Sequence, residues 1–230
     1  MRIPITAAVA AIFVAGAAIA ACSGGSTSMP SVPSHGAGAA GTLRTTAPTP
    51  TPTPIQLVLG TTVGTVIWPN FDTKTGGQGK PVDGITCRKE LLNTYHHHVH
   101  LSIFYNGTQL AAPEGVGILG VPGKNPKFIY HGTCFYWLHT HDKTGIIHIE
   151  PSNADTFNLK QFFDIWGEPL SLTQVADLTV GSLGVYINGV YEPGQDPSLI
   201  QFYPFEEITL VVNSPTPDWI PNYLFPPGYP

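Results

Sequence analysis

Two Asn-Gly dipeptides, at residues 106–107 and 188–189, constrain the fold of this chain more than any other feature of its sequence. Each dipeptide stands between two short predicted strands. These are Val99–Tyr105 with Gln109–Ala112 and Val185–Ile187 with Val190–Glu192. Both central residues of a two-residue type I′ turn need a positive φ, which Asn and Gly adopt readily. The sequence therefore predicts two antiparallel β-hairpins.

Glycine and proline support a fold of many turns and short strands. The 230 residues include 25 Gly and 23 Pro, a content that disfavours long helices. Further strands are predicted at Ile55–Leu59, Thr65–Trp68, Cys134–His141, Ile146–Glu150 and Ile208–Asn213. We therefore expect a mainly β domain in which antiparallel hairpins form a sandwich or a partly open barrel.

One short amphipathic helix is predicted at about residues 158–166. Four apolar side chains recur at three- and four-residue spacing, and a glycine follows them: Leu159, Phe162, Phe163, Trp166 and then Gly167. This spacing places the apolar side chains on one helix face, and the glycine can end the helix. The apolar face is expected to pack in the core.

The N-terminus is typical of an exported lipoprotein. Arg2 precedes an apolar run from Ile5 to Ile19, which predicts a signal peptide over residues 1–21. The sequence Ile19-Ala20-Ala21-Cys22 resembles the bacterial lipobox, a resemblance that implies lipidation of Cys22 and a membrane anchor. Ser23 follows the cysteine where Asp would favour retention at the inner membrane, so in a Gram-negative cell we expect the outer membrane.

The composition also divides the rest of the chain. Residues 22–54 are mainly Pro, Thr, Ser, Gly and Ala and are expected to form a disordered tether. Residues 55–214 form the predicted His-rich β domain. Residues 215–230 form a tail rich in proline and aromatic residues, which we expect to lie along the domain or to bind a protein partner.

The charge pattern excludes one class of partner. The formal net charge is −5, and lysine and arginine do not cluster anywhere. A protein that binds a phosphate backbone needs such a cluster. We therefore expect no nucleic-acid ligand.

Eight of the nine histidines lie between residues 96 and 148, and the first group leads into a predicted strand. Side chains alternate between the two faces of a strand. His96, His98 and His100 should thus share one face, while Val99 and Leu101 point to the other. His97 and His131 are expected to lie outside the histidine face and to be structural.

A second predicted hairpin brings more histidines together. If Lys143 and Thr144 form the tip of a turn, His139 lies opposite His148, and His141 lies opposite Ile146. Directly opposed side chains have Cβ atoms about 5 Å apart. This register predicts that imidazoles separated by nine positions in the sequence become neighbours.

Neutral imidazoles in such an arrangement indicate a metal site, and without Cys or Met ligands they favour zinc or copper(II). The candidate ligands are His98, His100, His139, His141 and His148. Glu150 and Asp142 are candidates for an additional ligand or a general base.

Cys87 and Cys134 are the only cysteines besides Cys22. In an oxidising compartment they are expected to form a disulfide. The segment from Cys134 to His139 resembles the Cys-x4-His loop of blue-copper cupredoxins, but a disulfide would remove the thiolate ligand that such a site requires.

A longer pattern comprises His139-Thr-His-Asp, Gly145-Ile-Ile-His-Ile-Glu150 and the segment from Thr156 to Gly167. It resembles a pattern in uncharacterised exported proteins of bacteria and archaea. The resemblance implies an exported His-rich domain and carries no activity with it.

Three functions are compatible with these features. The first is a surface-tethered zinc- or copper-binding module of the cell envelope. The second is a metal-dependent enzyme that uses the same histidines with an open coordination position and Glu150 or Asp142 as the base. The third is a structural or adhesive β domain without metal.

Overall fold

A computed structural model describes residues 53–70, 76–91, 94–120, 127–215 and 219–230. The predicted signal peptide, Cys22 and nearly all of the predicted tether lie outside these residues. The described residues belong to one compact unit, Thr49–Pro230. None of the helices within them has the length and apolar character needed to cross a bilayer.

Short strands dominate the described residues, which confirms the predicted mainly β fold. The strands are β1 Ile55–Gln56, β2 Cys87–Arg88, β3 His97–Tyr105, β4 Thr108–Leu110, β5 Ile118–Leu119, β6 Cys134–Tyr136, β7 Leu138–His139, β8 Ile146–Ile149, β9 Leu170–Ser171, β10 Gln174–Val175, β11 Leu178–Thr179, β12 Leu183–Ile187, β13 Val190–Tyr191, β14 Glu207–Val212 and β15 Tyr223–Leu224. The helix is α1 Leu159–Trp166, and a 3₁₀ turn spans Pro197–Leu199.

A seven-stranded sheet forms the centre of the domain in the order β13-β12-β14-β3-β8-β7, and β4 also pairs with β3. Both predicted hairpins are confirmed, since Asn106 and Asn188 have φ values of 49° and 50° at their turns. One pairing in this central sheet differs from the antiparallel prediction. Strands β3 and β14 run parallel, with Leu101 opposite Ile208, because 101 residues of chain separate them and leave room for a crossover.

Three smaller sheets complete the architecture: β11-β10-β9, β2-β6-β5 and the pair β1-β15. Each described sheet is open at its edges, in agreement with a sandwich. The predicted strands at Ile55–Leu59 and Thr65–Trp68 are largely wrong. Only Ile55–Gln56 forms a strand, while Thr65 makes a single bridge to Leu110.

Helix α1 confirms the predicted amphipathic helix and supports one face of the central sheet. The Asn158 side chain accepts a hydrogen bond from the Gln161 backbone N–H, and the Gln161 side chain accepts one from the Asn158 N–H. These reciprocal bonds form a capping box. Gly167 closes the other end in the left-handed conformation, with φ of 83°. Trp166 is fully buried, as predicted.

The central sheet has one apolar face and one face that carries histidines. Val99, Leu101 and Ile103 of β3 lie in the main core together with the apolar side chains of α1. The alternate residues His98 and His100 point to the opposite face and are also buried. Both faces of this sheet are therefore covered, which is uncommon for a strand with an alternating pattern.

The register of β7 and β8 confirms the predicted neighbours. His139 lies opposite His148, and Leu138 lies opposite Ile149. The predicted two-residue tip is wrong, because the ladder ends at His139 and residues 140–145 form a loop instead. The Asp142 carboxylate holds that loop, since it accepts hydrogen bonds from the backbone N–H groups of Gly60 and Thr144 at 2.7 and 2.9 Å.

The C-terminal tail packs on the histidine face of the sheet. Strand β15 pairs in parallel with β1, so that Tyr223 lies opposite Ile55. The Tyr223 N–H donates to the Glu207 carboxylate at 2.6 Å, and the Tyr223 hydroxyl donates to Gln109 at 2.9 Å. Burial raises the pKa of Glu207 to about 7, even though the Tyr223 N–H favours its charged form.

The predicted disulfide is also confirmed. Cys87 in β2 is bonded to Cys134 in β6, and these two strands pair in one sheet with Cys87 opposite Tyr136. The bridge thus connects the segment that precedes the first histidines to the strand that leads into His139. It also removes both thiolates, so the cupredoxin alternative has no cysteine ligand.

We expect the Cys87→Ala, Cys134→Ala double variant to lose about 3 to 4 kcal/mol of unfolding free energy, because the bridge restricts the unfolded chain over the intervening residues. Urea unfolding of the oxidised protein and the variant measures the difference. Labelling of the unreduced, unfolded protein with a thiol reagent is the control, and a stoichiometric reaction at Cys87 and Cys134 would contradict the bridge.

Candidate metal centre

Three histidines form one row across three neighbouring strands of the central sheet. His98 of β3 lies opposite His148 of β8, and His148 lies opposite His139 of β7. Neighbouring strands lie about 4.8 Å apart, so side chains in one row can reach a common ion. Among the described residues, two groups that contain members of this row have the spacing of metal ligands. One group is His139, His141, His148 and Glu150, and the other is His96, His98 and His148.

His139 and His141 face each other with their Nε2 atoms 3.0 Å apart. Their Nδ1 atoms face backbone carbonyls: His139 Nδ1 lies 2.8 Å from the Tyr136 oxygen, and His141 Nδ1 contacts the Ile129 oxygen. A carbonyl oxygen only accepts, so Nδ1 carries the proton in each ring. In the neutral rings both Nε2 atoms therefore carry a lone pair, and no proton lies between them.

The other three imidazoles meet around one nitrogen of His148. Its Nδ1 atom lies 3.2 Å from His98 Nε2 and 3.3 Å from His96 Nε2. His98 is oriented as His139 and His141 are, because its Nδ1 donates to the Pro230 carbonyl at 3.3 Å. A neutral His148 can carry its proton on Nδ1 and donate it to the His98 Nε2 atom, while His96 Nε2 lies 3.1 Å from the Glu150 carboxylate.

Glu150 supplies a carboxylate at the centre of the cluster. Its Oε1 atom lies 3.1 Å from His96 Nε2, 3.6 Å from His148 Nδ1 and 3.8 Å from His139 Nε2. The backbone N–H of Glu150 donates to the Trp137 carbonyl at 2.8 Å, which continues the β7–β8 alignment by one step. The side chain is 4% exposed. The cluster thus combines neutral nitrogen ligands with one buried acidic ligand.

Burial keeps the imidazoles uncharged. Desolvation lowers the pKa of His98 to about 3 and that of His141 to about 4. The pKa values of His139 and His148 lie well below the ordinary value, first because of burial and then because of the neighbouring His141. An additional proton therefore does not lie between the His139 and His141 Nε2 atoms near neutral pH, whereas a cation bound by both lone pairs would remove their repulsion.

Aromatic side chains close the cluster on two sides. Tyr229 of the tail packs on His98 with ring centroids 4.1 Å apart, and its ring lies 5.6 Å from that of His148. On the opposite side Phe128 stacks on His141, with centroids 4.5 Å apart and an interplanar angle of 13°. These rings exclude water and hold the imidazoles in place.

The structure separates two candidate ligands from the cluster. His100 Nε2 donates to the Thr144 carbonyl at 2.9 Å, and the His100 ring packs on Tyr223. His100 lies opposite Ile146, two positions along the ladder from the His98–His148 pair. Asp142 belongs to neither ligand group, because its carboxylate binds the backbone of its own loop and of Gly60.

The structure adds His96, which was not among the predicted ligands. It directly precedes β3, and His97 lies opposite Ile149, so the next step along the ladder places His96 near Glu150. Strand alternation already indicated that His96 shares a face with His98. The position of His96 beside Glu150 depends on the pairing of β3 with β8, which the sequence did not predict. His97 is half-buried and His131 is exposed, and both lie outside the two groups.

Comparisons of the chain with protein-family models, with curated proteins and with solved structures find no match.

The metal-stripped protein should lose stability steeply as the pH falls below 6.5. Unfolded histidines take up protons near pH 6.5, but the buried rings stay neutral until about pH 4 or below, so the stability that they contribute above pH 6.5 is lost as the pH falls. Between pH 7.5 and 5 each such ring should lower the unfolding free energy by about 2 kcal/mol. Urea unfolding at the two pH values measures this change, and equal free energies would contradict neutral burial.

Proposed function

We propose that the protein is a metal-binding module of the cell envelope and that His139, His141, His148 and Glu150 form its metal site. The ligand atoms of these four buried residues all lie within 4.8 Å of one another. Four ligands with one negative charge suit a divalent transition metal in tetrahedral coordination.

The 3.0 Å contact between the Nε2 atoms of His139 and His141 carries this proposal. Two lone pairs repel each other at this distance. Two nitrogens bound to one tetrahedral ion, with bonds of 2.0–2.1 Å, lie about 3.3 Å apart. A small movement of the rings thus converts a repulsive contact into coordination. The backbone carbonyls of Tyr136 and Ile129 act as the outer partners that orient metal-bound imidazoles in many proteins.

The ligand set favours zinc or copper(II). Imidazole nitrogen binds both ions well, and a carboxylate adds charge without adding a soft ligand. Copper(I) prefers thiolate and thioether ligands, which the cluster does not contain.

The burial of the cluster favours binding over catalysis. All four ligands are buried, and Tyr229 and Phe128 pack against the histidines. Such a site retains an ion, whereas a metal-dependent enzyme must also admit a substrate to the ion. A structural or adhesive domain without metal would derive no advantage from the facing lone pairs.

The location of the module is also a proposal. The lipobox resemblance of residues 19–22 supports a lipid on Cys22 as the membrane anchor, with residues 22–54 as the tether and the outer membrane as the destination in a Gram-negative cell. Residues 19–52 lie outside the described ranges. A partner of the tail stays a prediction, and Tyr223 and Tyr229 are already packed on the domain.

His139→Ala should lower the affinity for Zn²⁺ by about 100-fold or more, because a ligand contributes at least as much as the outer partners whose loss costs 10- to 100-fold. Competition between the metal-stripped full chain and a chromophoric chelator measures the affinity. His97→Ala is the matched control, because His97 lies in the same strand as His98 but on the opposite face. Equal losses for the two variants would contradict the site.

Cys22→Ala should release the protein from the membrane fraction, because Cys22 is the residue that the lipobox resemblance assigns to lipidation. Fractionation of cells that express each form, followed by salt washing of the membranes, measures the release. Retention of the variant in washed membranes would exclude the lipid anchor.

A further inference from the structure

The cluster offers more ligands than one tetrahedral ion uses. Five imidazoles and one carboxylate meet in it: His96, His98, His139, His141, His148 and Glu150. A single four-coordinate ion would leave two of these six ligands unused. The two ligand groups share His148, so the surplus lies on one side, at His96 and His98.

The surplus side has the spacing of a second site. His148 Nδ1 lies 3.2 Å from His98 Nε2 and 3.3 Å from His96 Nε2. These distances match the separation of about 3.3 Å expected for two nitrogens on one tetrahedral ion. The three nitrogens can therefore hold an ion by themselves.

Glu150 stands between this side and the pair His139–His141. Its Oε1 atom lies 3.1 Å from His96 Nε2 and 3.8 Å from His139 Nε2. A carboxylate has two oxygens and can bind two ions at once, and ions in two-metal sites lie about 3.5–4 Å apart. Its negative charge also reduces the repulsion between two cations.

We propose that the cluster binds two divalent ions that share Glu150. This inference rests on the proposed function and extends it to a second ion, which takes His148 from the four ligands proposed for the first ion. His96, His98 and the Nδ1 atom of His148 hold the second ion. The first ion then keeps His139, His141 and Glu150, and its fourth position is open to water or a small anion.

A cleft of about 400 Å³ reaches the second ion. It is lined in part by Thr94, Tyr95, His96, Pro151, Pro204 and Pro230. The His96 side chain is 19% exposed, whereas that of Glu150 is 4% exposed and that of His139 is fully buried. The second ion thus exchanges with solvent through His96, while the first ion is retained at the deeper end.

Zinc stoichiometry of the full chain tests this proposal. The metal-stripped protein is loaded with Zn²⁺, freed of excess by gel filtration and analysed for zinc. We expect two ions in the wild-type chain, one in the His96→Gln, His98→Gln double variant and one in the His139→Gln, His141→Gln double variant. His97→Gln should retain both ions. If a double variant fails to fold, the single His96→Gln variant tests the second site and the single His141→Gln variant tests the first.

The outcomes separate the two proposals. One ion in the wild-type chain that disappears only when His139 and His141 are replaced would overturn the second ion and leave the proposed function intact. Two ions that survive replacement of His96 and His98 would also overturn the second site. A wild-type chain without zinc would contradict both proposals.

Copper(II) loading provides an independent readout. Two ions that share a carboxylate couple magnetically, so the electron paramagnetic resonance signal per copper should fall when the second equivalent binds. Glu150→Gln should weaken that coupling, so that the signal per copper falls less when the second equivalent binds, while the first equivalent still binds. Two uncoupled signals of equal intensity would overturn the shared carboxylate.

Discussion

The burial of neutral imidazoles whose ring nitrogens face one another is the constraint on which this structure depends. His139 and His141 meet through Nε2 atoms, and His148 meets two further histidines through Nδ1. At the His139–His141 contact both Nε2 atoms carry lone pairs, which is unfavourable in an apolar interior unless a proton or a cation lies between them, and burial lowers the pKa of His139 too far for an additional proton near neutral pH. The cluster therefore has the geometry of a group that could hold a cation.

The rest of the domain holds these rings in position. On one face of the central sheet α1 packs against β7 and forms the core, which aligns the backbone that carries His139. On the other face Tyr223 fixes the tail through the Glu207 carboxylate, and Tyr229 then covers His98. The disulfide joins β2 to β6 just before the strand that carries His139. Rigid neighbours favour a metal site because they limit the movement needed on binding.

Local chemistry made part of this arrangement predictable from the sequence. The hairpins follow from Asn-Gly turns and α1 from its apolar spacing. The pairing of His139 with His148 follows from the predicted hairpin register, although the two-residue tip of that hairpin was wrong. Interactions across long sequence distances were not predictable. Asp142 was predicted as an additional ligand or base. Its carboxylate instead accepts a hydrogen bond from the distant Gly60 N–H and belongs to neither ligand group. His100 was wrongly grouped with His98, because alternation gives the face of a side chain but not the row in which partners lie.

X-ray absorption at the zinc edge of the zinc-loaded full chain tests whether the buried imidazoles bind the ion, because it measures the ligands of that ion. We expect nitrogen and oxygen ligands at about 2.0–2.1 Å from the zinc, together with the outer scattering of several imidazoles. A sulfur shell at about 2.3 Å, or an oxygen shell without imidazole scattering, would contradict it.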